Sequence, residues 1–492
     1  MKYNIWAISS AAAIAVIGAL TLSPAFAAPG SKTEGVKVVA AKDVRPVPLP
    51  PSVFPQPAAT INGWVAKNDQ TAIRSHAWAL WAAMGAPSGQ VYNGTNLPVW
   101  DTWWGTNEVF PSATATCGNG ASAAAVERSG DLHGFHAPVQ FHHAAGARGA
   151  SGGTDAAGLV SFNKFSPGEA QFLLTSQPGP GGASYCYRTG TSLLALNAAW
   201  PASATPNQRG VNPFPNTSIE IKPVLGLVKA TGFTAIPLWQ GIRAAASSQP
   251  SPTTWLNCVL VSPSYSGPIR PATKAEIAAA QTAQAPACNT FVVGSLNQLS
   301  SFKMTAAEAA SFNSQQGAAF ASQLSAAAGD YAVLEAMHVS TKEISNWTWQ
   351  TFYWQPTGTK DVGFPGNKSG QPAGLAQPLN QYAACTAYSQ TTTPKSNSVQ
   401  VCFSPYLETS ANIPAGLTSN CMSCHAVAVA TANTKLANYP ANYATPINLF
   451  NDPSYFQTGG AQGTTHLDFS WAVQGAPLPP PPPPPATPAA TR

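Results

Sequence analysis

The sequence predicts an α+β fold, in which a β-rich body is followed by a small helical segment near the C terminus. Three observations support this prediction. The chain contains 40 Gly and 46 Pro among its 492 residues, which favours strands and loops over long helices. Runs rich in β-branched and aromatic residues have the composition of strands, whereas helical patterns are short. The strand-like runs are 219–228, 233–239, 255–262, 331–339, 347–354 and 399–403.

The helices are predicted from capping residues that precede apolar residues at helical spacing. Asp69 caps a run that extends to residue 85 and carries apolar side chains every three or four positions. Thr-x-x-Glu capping boxes begin at Thr273 and Thr305, and Gly329 is the expected end of the second helix. A further helix is expected over residues 425–437.

The chain divides into five predicted parts. Residues 1–27 have a charged start, a short apolar core and the tripeptide Ala25-Phe26-Ala27, which is typical of a cleaved secretory signal. Residues 28–60 are Pro-rich and predict an extended spacer. The body is expected over 61–404 and the helical segment over 405–475. The tail 476–492 contains seven consecutive prolines and predicts a polyproline II helix.

Composition excludes several classes of protein. Only 9% of residues are charged and the net charge is +5, so the clustered positive charge that nucleic-acid binding requires is missing. The 14 Trp, 13 Tyr and 20 Phe exclude a charge-driven disordered chain. No stretch after the signal is long and apolar enough to span a bilayer. We therefore expect a periplasmic or secreted protein that is not membrane-spanning after signal cleavage.

One motif points to specific chemistry. The string Cys421-Met422-Ser423-Cys424-His425 is a C-x-x-C-H sequence, and in an exported chain this predicts covalent attachment of one c-type haem. Two thiols on one helical turn can bond the two vinyl groups of the porphyrin, and the adjacent His then reaches the iron. A redox disulfide or half a zinc site is the alternative. Zinc requires a second pair of ligands, and none follows within the next 40 residues.

The motif resembles that of c-type cytochromes over residues 421–425. The resemblance implies that Cys421 and Cys424 are the thioether anchors and that His425 is the proximal iron ligand. The chain departs from small cytochromes c because no Met follows Met422, so the usual downstream Met ligand is missing. More weakly, residues 337–352 resemble large exported bacterial proteins of the cytochrome c family, and this likeness implies no particular reaction.

The second axial ligand therefore remains open. His338, at the end of a strand-like run, is the first choice, and a buried His bonded to a backbone carbonyl is the alternative. His466 is the second choice because it follows His425 by 41 residues, and an exposed loop His is the alternative. The other candidates by residue type are His76, His133, His136, His142, His143, Met84, Met304 and Met337.

Two further clusters of residues in the sequence bear on ligand binding. His133, His136, His142 and His143 lie within eleven residues and are of the type that binds copper, iron or zinc. Pro138 prevents one helix from aligning them, so a flexible His-rich loop without metal is favoured. The cluster of Trp100, Trp103 and Trp104 is interpreted as core rather than as a platform for a substrate.

The remaining six cysteines permit three disulfides. Cys385–Cys402 flanks a turn-rich stretch, and Cys258–Cys288 joins two strand-like runs. Cys117–Cys186 follows by elimination. We interpret all three as bonds that hold loops, with no redox role.

Two functions follow from these observations. The first is electron transfer through covalently bound haem, with a redox partner protein. The second is a haem enzyme, a peroxidase or oxygenase, in which the body forms a substrate pocket over the iron. The size of the body favours the second function, and the absence of a recognisable distal His–Arg pair favours the first. A binding or sensing role is the remaining possibility.

Overall fold

The fold was analysed in a computed structural model. It describes residues 37–409 except 113–114, 119–127, 129, 131, 134, 136–157, 202, 205–207, 243–250, 317, 360–362 and 397, and then residues 416–426, 428–430 and 465–475. The predicted signal, the polyproline tail, His136, His142 and His143 lie outside the described residues.

Strands and short helices alternate along the chain, so the fold is α+β as the sequence predicts. The helices are Ala58–Lys67, Gln70–Gly85, Thr106–Val109, Pro167–Leu174, Gly190–Ala199, Lys274–Ala279, Ala306–Gln316, Ala318–Ala321 and Cys421–His425. The strands are β1 Lys37–Val38, β2 Pro87–Tyr92, β3 Thr95–Pro98, β4 Trp104–Gly105, β5 Val160–Ser161, β6 Lys164–Phe165, β7 Gln177–Pro178, β8 Ser184–Tyr185, β9 Ile219–Val228, β10 Thr234–Pro237, β11 Asn257–Ser262, β12 Arg270–Pro271, β13 Thr290–Ser295, β14 Ser301–Lys303, β15 Tyr331–Thr341, β16 Thr348–Trp354, β17 Tyr382–Thr386, β18 Val429–Ala430 and β19 Thr465–His466.

The central sheet has eight strands and organises the molecule. Its main path runs β17-β16-β15-β9-β6-β4, with β14 beside β15 and β5 beside β9. The two long strands, β9 and β15, are antiparallel and buried along almost their whole length. Burial on both faces explains why their sequences are nearly continuous apolar runs rather than alternating ones.

Because side chains alternate along a strand, the sheet has two distinct faces. One row of paired residues carries Lys222, His338 and Thr351, and we call this side the motif face. The adjacent row carries Ile221, Val339 and Gln350 on the opposite side, which we call the helix face. The helix Gln70–Gly85 covers the helix face, where Trp81 stacks on Phe352 at 4.4 Å between ring centroids.

The C-terminal residues pack on the motif face. Met422, Ala426 and Phe469 share one apolar cluster with Trp349 and Ala383 of the central sheet. The C-x-x-C-H segment is therefore built onto the body, because the sheet provides the apolar surface that this short segment needs for burial.

Several local predictions are confirmed. The helix Gln70–Gly85 begins after Asp69, whose side chain accepts a hydrogen bond from the backbone of Ala72 at 3.0 Å. The capping box at Thr273 is formed as predicted. The first five strand-like runs match strands to within two residues at either end. Trp103 is fully buried and donates to the carbonyl of Val47 at 2.8 Å, so this residue of the Trp cluster is core.

All three predicted disulfides are present. Their Cα–Cα distances are 5.7 Å for Cys117–Cys186, 6.0 Å for Cys258–Cys288 and 5.6 Å for Cys385–Cys402. These values lie in the range of ordinary disulfides. Disulfides of this number are typical of chains that fold in an oxidising compartment.

Residues 28–60 were expected to form an extended spacer, but the described part of this segment packs against the body. Val44, Leu49 and Phe54 are buried, and the last two join the core on the helix face. The proline-rich composition was a misleading signal here, because the apolar residues between the prolines pack against the body.

Three element boundaries also differ. Residues 399–403 make only isolated bridges, one of them between Cys402 and Asn420. The helix after Thr305 ends before Gly329, which instead precedes β15 with a positive φ of 91°. The helix expected over 425–437 stops at His425 because the chain turns into β18, which pairs with β19; residues 431–437 lie outside the described residues.

Candidate functional site: the C-x-x-C-H turn and its surroundings

The motif forms a single helical turn, Cys421–His425, that is capped at its start. The Asn420 side chain accepts from the backbone of Met422 at 2.9 Å. Its amide group donates to the carbonyls of Ser389 and Gln400 at 3.0 and 2.7 Å. One side chain thus caps the helix and fixes it to the loop that the Cys385–Cys402 disulfide closes.

His425 is held by a backbone carbonyl and an indole ring. Its Nδ1 lies 2.8 Å from the carbonyl oxygen of Phe469. The Trp349 ring lies 4.2 Å from the imidazole, centroid to centroid, at an angle of 41°. Phe469 is 44 residues away in sequence, so the return of the chain across the sheet determines how the imidazole is oriented.

The carbonyl contact determines the tautomer of His425. A carbonyl oxygen only accepts hydrogen bonds, so Nδ1 carries the proton and Nε2 carries the lone pair. Burial lowers the pKa of His425 to about 3, and the nearby charges of His338 and Lys222 also oppose protonation. The imidazole is therefore neutral at physiological pH, with Nε2 available as a ligand.

This arrangement fits a haem iron ligand. Ligating histidines generally donate their second ring N–H to a carbonyl or carboxylate, which fixes the ring and strengthens the metal bond. Cys421, Cys424 and His425 lie on the same turn, so the spacing that c-type attachment requires is kept in the fold. The donor set of two cysteines and one neutral imidazole suits covalent haem.

His338 lies on the motif face with both ring nitrogens occupied. Nδ1 is 2.6 Å from the Thr351 hydroxyl, and Nε2 is 3.0 Å from the Glu408 carboxylate. Burial favours the neutral carboxyl of Glu408, but contacts with His338, the charge of Lys222 and the backbone N–H of Ser404 together lower the pKa of Glu408. To bind a haem iron, His338 Nε2 would have to give up its contact with Glu408. Iron binding by His338 therefore stays a prediction.

His466 belongs to β19 and pairs with Val429 of β18. Its backbone N–H donates to the carbonyl of Arg209 at 2.9 Å, and its own carbonyl accepts from Val211 at 2.8 Å. Burial lowers the pKa of the imidazole to about 4. His466 is therefore a neutral imidazole on β19, which pairs with the strand that follows the motif. Its binding to a haem iron stays a prediction.

The methionine candidates lie on the other side of the sheet. Met84, Met304 and Met337 are fully buried in the core of the helix face. The central sheet separates them from the motif face, on which His425 lies. This placement argues against Met as the second axial ligand and leaves histidine as the favoured type.

The structure argues against metal binding by His133. Its Nε2 lies 3.0 Å from Asp101 and its Nδ1 contacts Glu308. Although burial opposes its charge, these two carboxylates raise the pKa of His133 to about 9. Both ring nitrogens then carry protons, so neither has a lone pair for a metal. The imidazole also stacks on Phe302 at 3.6 Å between centroids.

Sequence reasoning missed two buried carboxyl groups on the motif face. Glu220 accepts from Ser470 and Asn163, each at 2.8 Å. Glu169 is fully buried, and neither carboxyl oxygen has a hydrogen-bond partner among the described residues. Burial raises the pKa of both groups, that of Glu220 to about 7. No local pattern marks either residue, because their neighbours are distant in sequence.

No protein-family model, curated protein or solved structure matches the chain. Within the described part of the chain, no helix is both long and apolar enough to cross a membrane.

Proposed function

We propose that this protein is an exported mono-haem c-type cytochrome that transfers electrons through covalently bound haem. The observation that carries the proposal is the hydrogen bond from His425 Nδ1 to the carbonyl of Phe469, at 2.8 Å. This hydrogen bond leaves Nε2 with a lone pair that can bind a metal, and His425 follows two cysteines with the C-x-x-C-H spacing. The three disulfides support export to the periplasm or the exterior.

Each residue of the motif has a distinct role in this proposal. Cys421 and Cys424 anchor the haem through thioether bonds, and His425 binds the iron through Nε2. The Phe469 carbonyl and the Trp349 ring restrict rotation of the imidazole. When bound, the haem supplies one-electron chemistry, and a redox partner protein supplies or accepts the electron.

A haem enzyme, a peroxidase or oxygenase, is the second candidate because of the His338–Glu408 pair. Both nitrogens of His338 are engaged, at 2.6 Å to Thr351 and 3.0 Å to Glu408. If His338 keeps these partners, it does not fill the sixth coordination position. A His–carboxylate pair is also suited to transferring protons.

The absorption spectrum of the purified full chain, oxidised, reduced and with carbon monoxide, separates the two candidates. Electron transfer predicts a low-spin spectrum that carbon monoxide does not change, because both axial positions are filled. The enzyme predicts a high-spin ferric spectrum and a carbon monoxide adduct. Purified protein without a haem spectrum, from cells that mature other c-type cytochromes, would contradict both.

A further inference from the structure

A row of side chains on the motif face connects a buried carboxyl group to the imidazole of the motif. In this row Glu220 of β9 pairs with Ser340 of β15, which in turn pairs with Trp349 of β16. Neighbouring strands lie about 4.8 Å apart, so about 10 Å separates Glu220 from Trp349 across the sheet. The Trp349 ring lies 4.2 Å from the His425 imidazole, centroid to centroid. A charge on Glu220 therefore interacts electrostatically with a metal that His425 binds.

A second connection between the carboxyl and the imidazole runs through the C-terminal segment. His425 Nδ1 donates to the carbonyl of Phe469 at 2.8 Å. The next residue, Ser470, donates its hydroxyl to Glu220 at 2.8 Å. The Asn163 side chain donates to the other carboxyl oxygen of Glu220, also at 2.8 Å. Hydrogen bonds from neutral groups thus fix the position of this carboxyl relative to the imidazole.

Glu169 lies beside Glu220, at the start of the helix Pro167–Leu174. Ser166, which caps this helix, is joined to Ile219 by two hydrogen bonds of 2.9 and 3.0 Å. Glu169 is fully buried, and neither of its carboxyl oxygens has a hydrogen-bond partner among the described residues. An ionised carboxylate there would have neither water nor a donor to stabilise it. Burial and the charges of Glu220 and Asp468 raise the pKa of Glu169, so this group is protonated.

Glu220 ionises more readily than Glu169, because it has two donors and is 7% exposed. Burial raises the pKa of Glu220 to about 7, although the Ser470 hydrogen bond and the charge of Lys222 oppose this rise. Glu220 can therefore gain or lose a proton near neutral pH. The other ionisable groups around this site are paired or neutral: Lys342 with Asp468 at 2.6 Å, His338 with Glu408 at 3.0 Å, and the phenols of Tyr185 and Tyr187, whose pKa values burial raises.

We propose that Glu220 is a redox-linked proton acceptor, which binds one proton when the haem gains one electron, while Glu169 stays protonated throughout. This inference rests on the proposed function. The redox partner protein is oxidised, the iron is reduced from ferric to ferrous, and the proton comes from solvent, so charge and atoms balance. The added negative charge near His425 favours the neutral form of Glu220. At a separation of about 10 to 12 Å, one unit charge changes the proton affinity of another site roughly tenfold. By linkage, a proton on Glu220 favours reduction to the same extent.

The midpoint potential of the full haem-loaded chain, measured between pH 5 and pH 9, tests the proposal. We expect the potential to fall as the pH rises through the neutral range. The total fall should be about 59 mV, which is the tenfold change in affinity converted for a one-electron couple. Glu220→Gln should abolish the fall, because an amide does not titrate. Glu169→Gln is the matched control, because it replaces a buried carboxyl that stays neutral, so the fall should persist.

Infrared difference spectra, reduced minus oxidised, identify the proton acceptor at pH 7 and need only the unmodified protein. A band of a protonated carboxyl should appear on reduction and shift in deuterated water. It should persist in Glu169→Gln and be missing in Glu220→Gln. If protein with covalent haem shows no such band and a potential that does not vary with pH, the inference is overturned and the proposed function stands. A fall in potential that survives in Glu220→Gln also overturns the inference. A chain that carries no covalent haem contradicts the proposed function and the inference together.

Discussion

Ionisable groups are buried on both faces of the central sheet, but they are neutralised in different ways. On the helix face, Asp101 contacts both His133 and Lys164, at 3.0 Å each, and His133 also contacts Glu308. On the motif face, Glu169 has no donor at all among the described residues. Among the described residues, the donors to Glu220 are neutral: the side chains of Ser470 and Asn163.

The difference is consistent with the proposed function, which places the chemistry on the motif face. Although both groups are buried, Asp101 and His133 favour each other's charged form, so the pKa of Asp101 is lowered and that of His133 is raised. Mutual pairing of this kind is typical of a structural ion network. On the motif face, Glu169 and Glu220 have raised pKa values and the His425 imidazole is neutral. The same face also carries an ion pair, His338 with Glu408 at 3.0 Å. Groups with strongly shifted pKa values are concentrated at functional sites, and structural ion networks shift pKa values as well.

The largest expected effect comes from breaking the paired cluster. Asp101→Asn should lower the free energy of unfolding at pH 7 by about 3 to 5 kcal/mol, because it leaves two buried cations without their shared carboxylate. Urea denaturation measures this change. Glu276→Gln, which breaks the exposed Arg270–Glu276 pair, is the control and should have a much smaller effect. Equal losses in the two variants would mean that the buried cluster contributes no more than a surface pair.

The carboxyls of the motif face should give stability an unusual pH dependence. Burial raises the pKa of Glu220 from 4.5 to about 7, so the folded chain holds this proton more tightly than the unfolded chain. Protonated Glu220 therefore stabilises the fold fully below pH 4.5. As the pH rises through 7 this stabilisation is lost, and the free energy of unfolding falls by roughly 1 to 3 kcal/mol.

The variant Glu169→Gln/Glu220→Gln should remove this decline, because neither amide titrates. Denaturation midpoints measured between pH 5 and pH 8 test the expectation. In Glu276→Gln the decline should persist, since Arg270 lowers the pKa of Glu276 to about 2 and that group does not titrate in this range. An unchanged slope in the double variant would locate the pH dependence elsewhere.

Replacing the second axial ligand should change stability less than the variants above, but it should clearly change the haem absorption spectrum. If His338 binds the iron, His338→Ala should convert a low-spin ferric spectrum to high spin and allow carbon monoxide to bind. His466→Ala is the matched test of the second choice. A low-spin spectrum that survives in both variants would rule out both histidines.

The sequence predicts features that depend on short stretches of chain. The cap at Asp69, the first five strand-like runs and the disulfide Cys385–Cys402 each depend on neighbours within about 20 residues, and the structure confirms them. In the described residues, the helix predicted over 425–437 does not continue past His425, because β18 pairs with β19 there.

The partners of the site could not be predicted, because they come from distant segments. Phe469 reaches His425 over 44 residues, and Glu408 reaches His338 over 70. His133 shows the same limit from the opposite side. Its sequence neighbours favoured a flexible His-rich loop, with a metal cluster as the alternative. One of its two carboxylate partners, Glu308, is instead 175 residues away.

The central claim is that the C-x-x-C-H turn carries covalent haem, and the intact mass of the denatured, reduced chain tests it most directly. We expect the exported protein to be heavier by one haem, and acidified organic solvent should extract no haem from it. Cys421→Ser/Cys424→Ser should lose that mass, whereas Cys258→Ser should keep it. A wild-type chain at its polypeptide mass, or haem that passes into the organic solvent, would contradict the account.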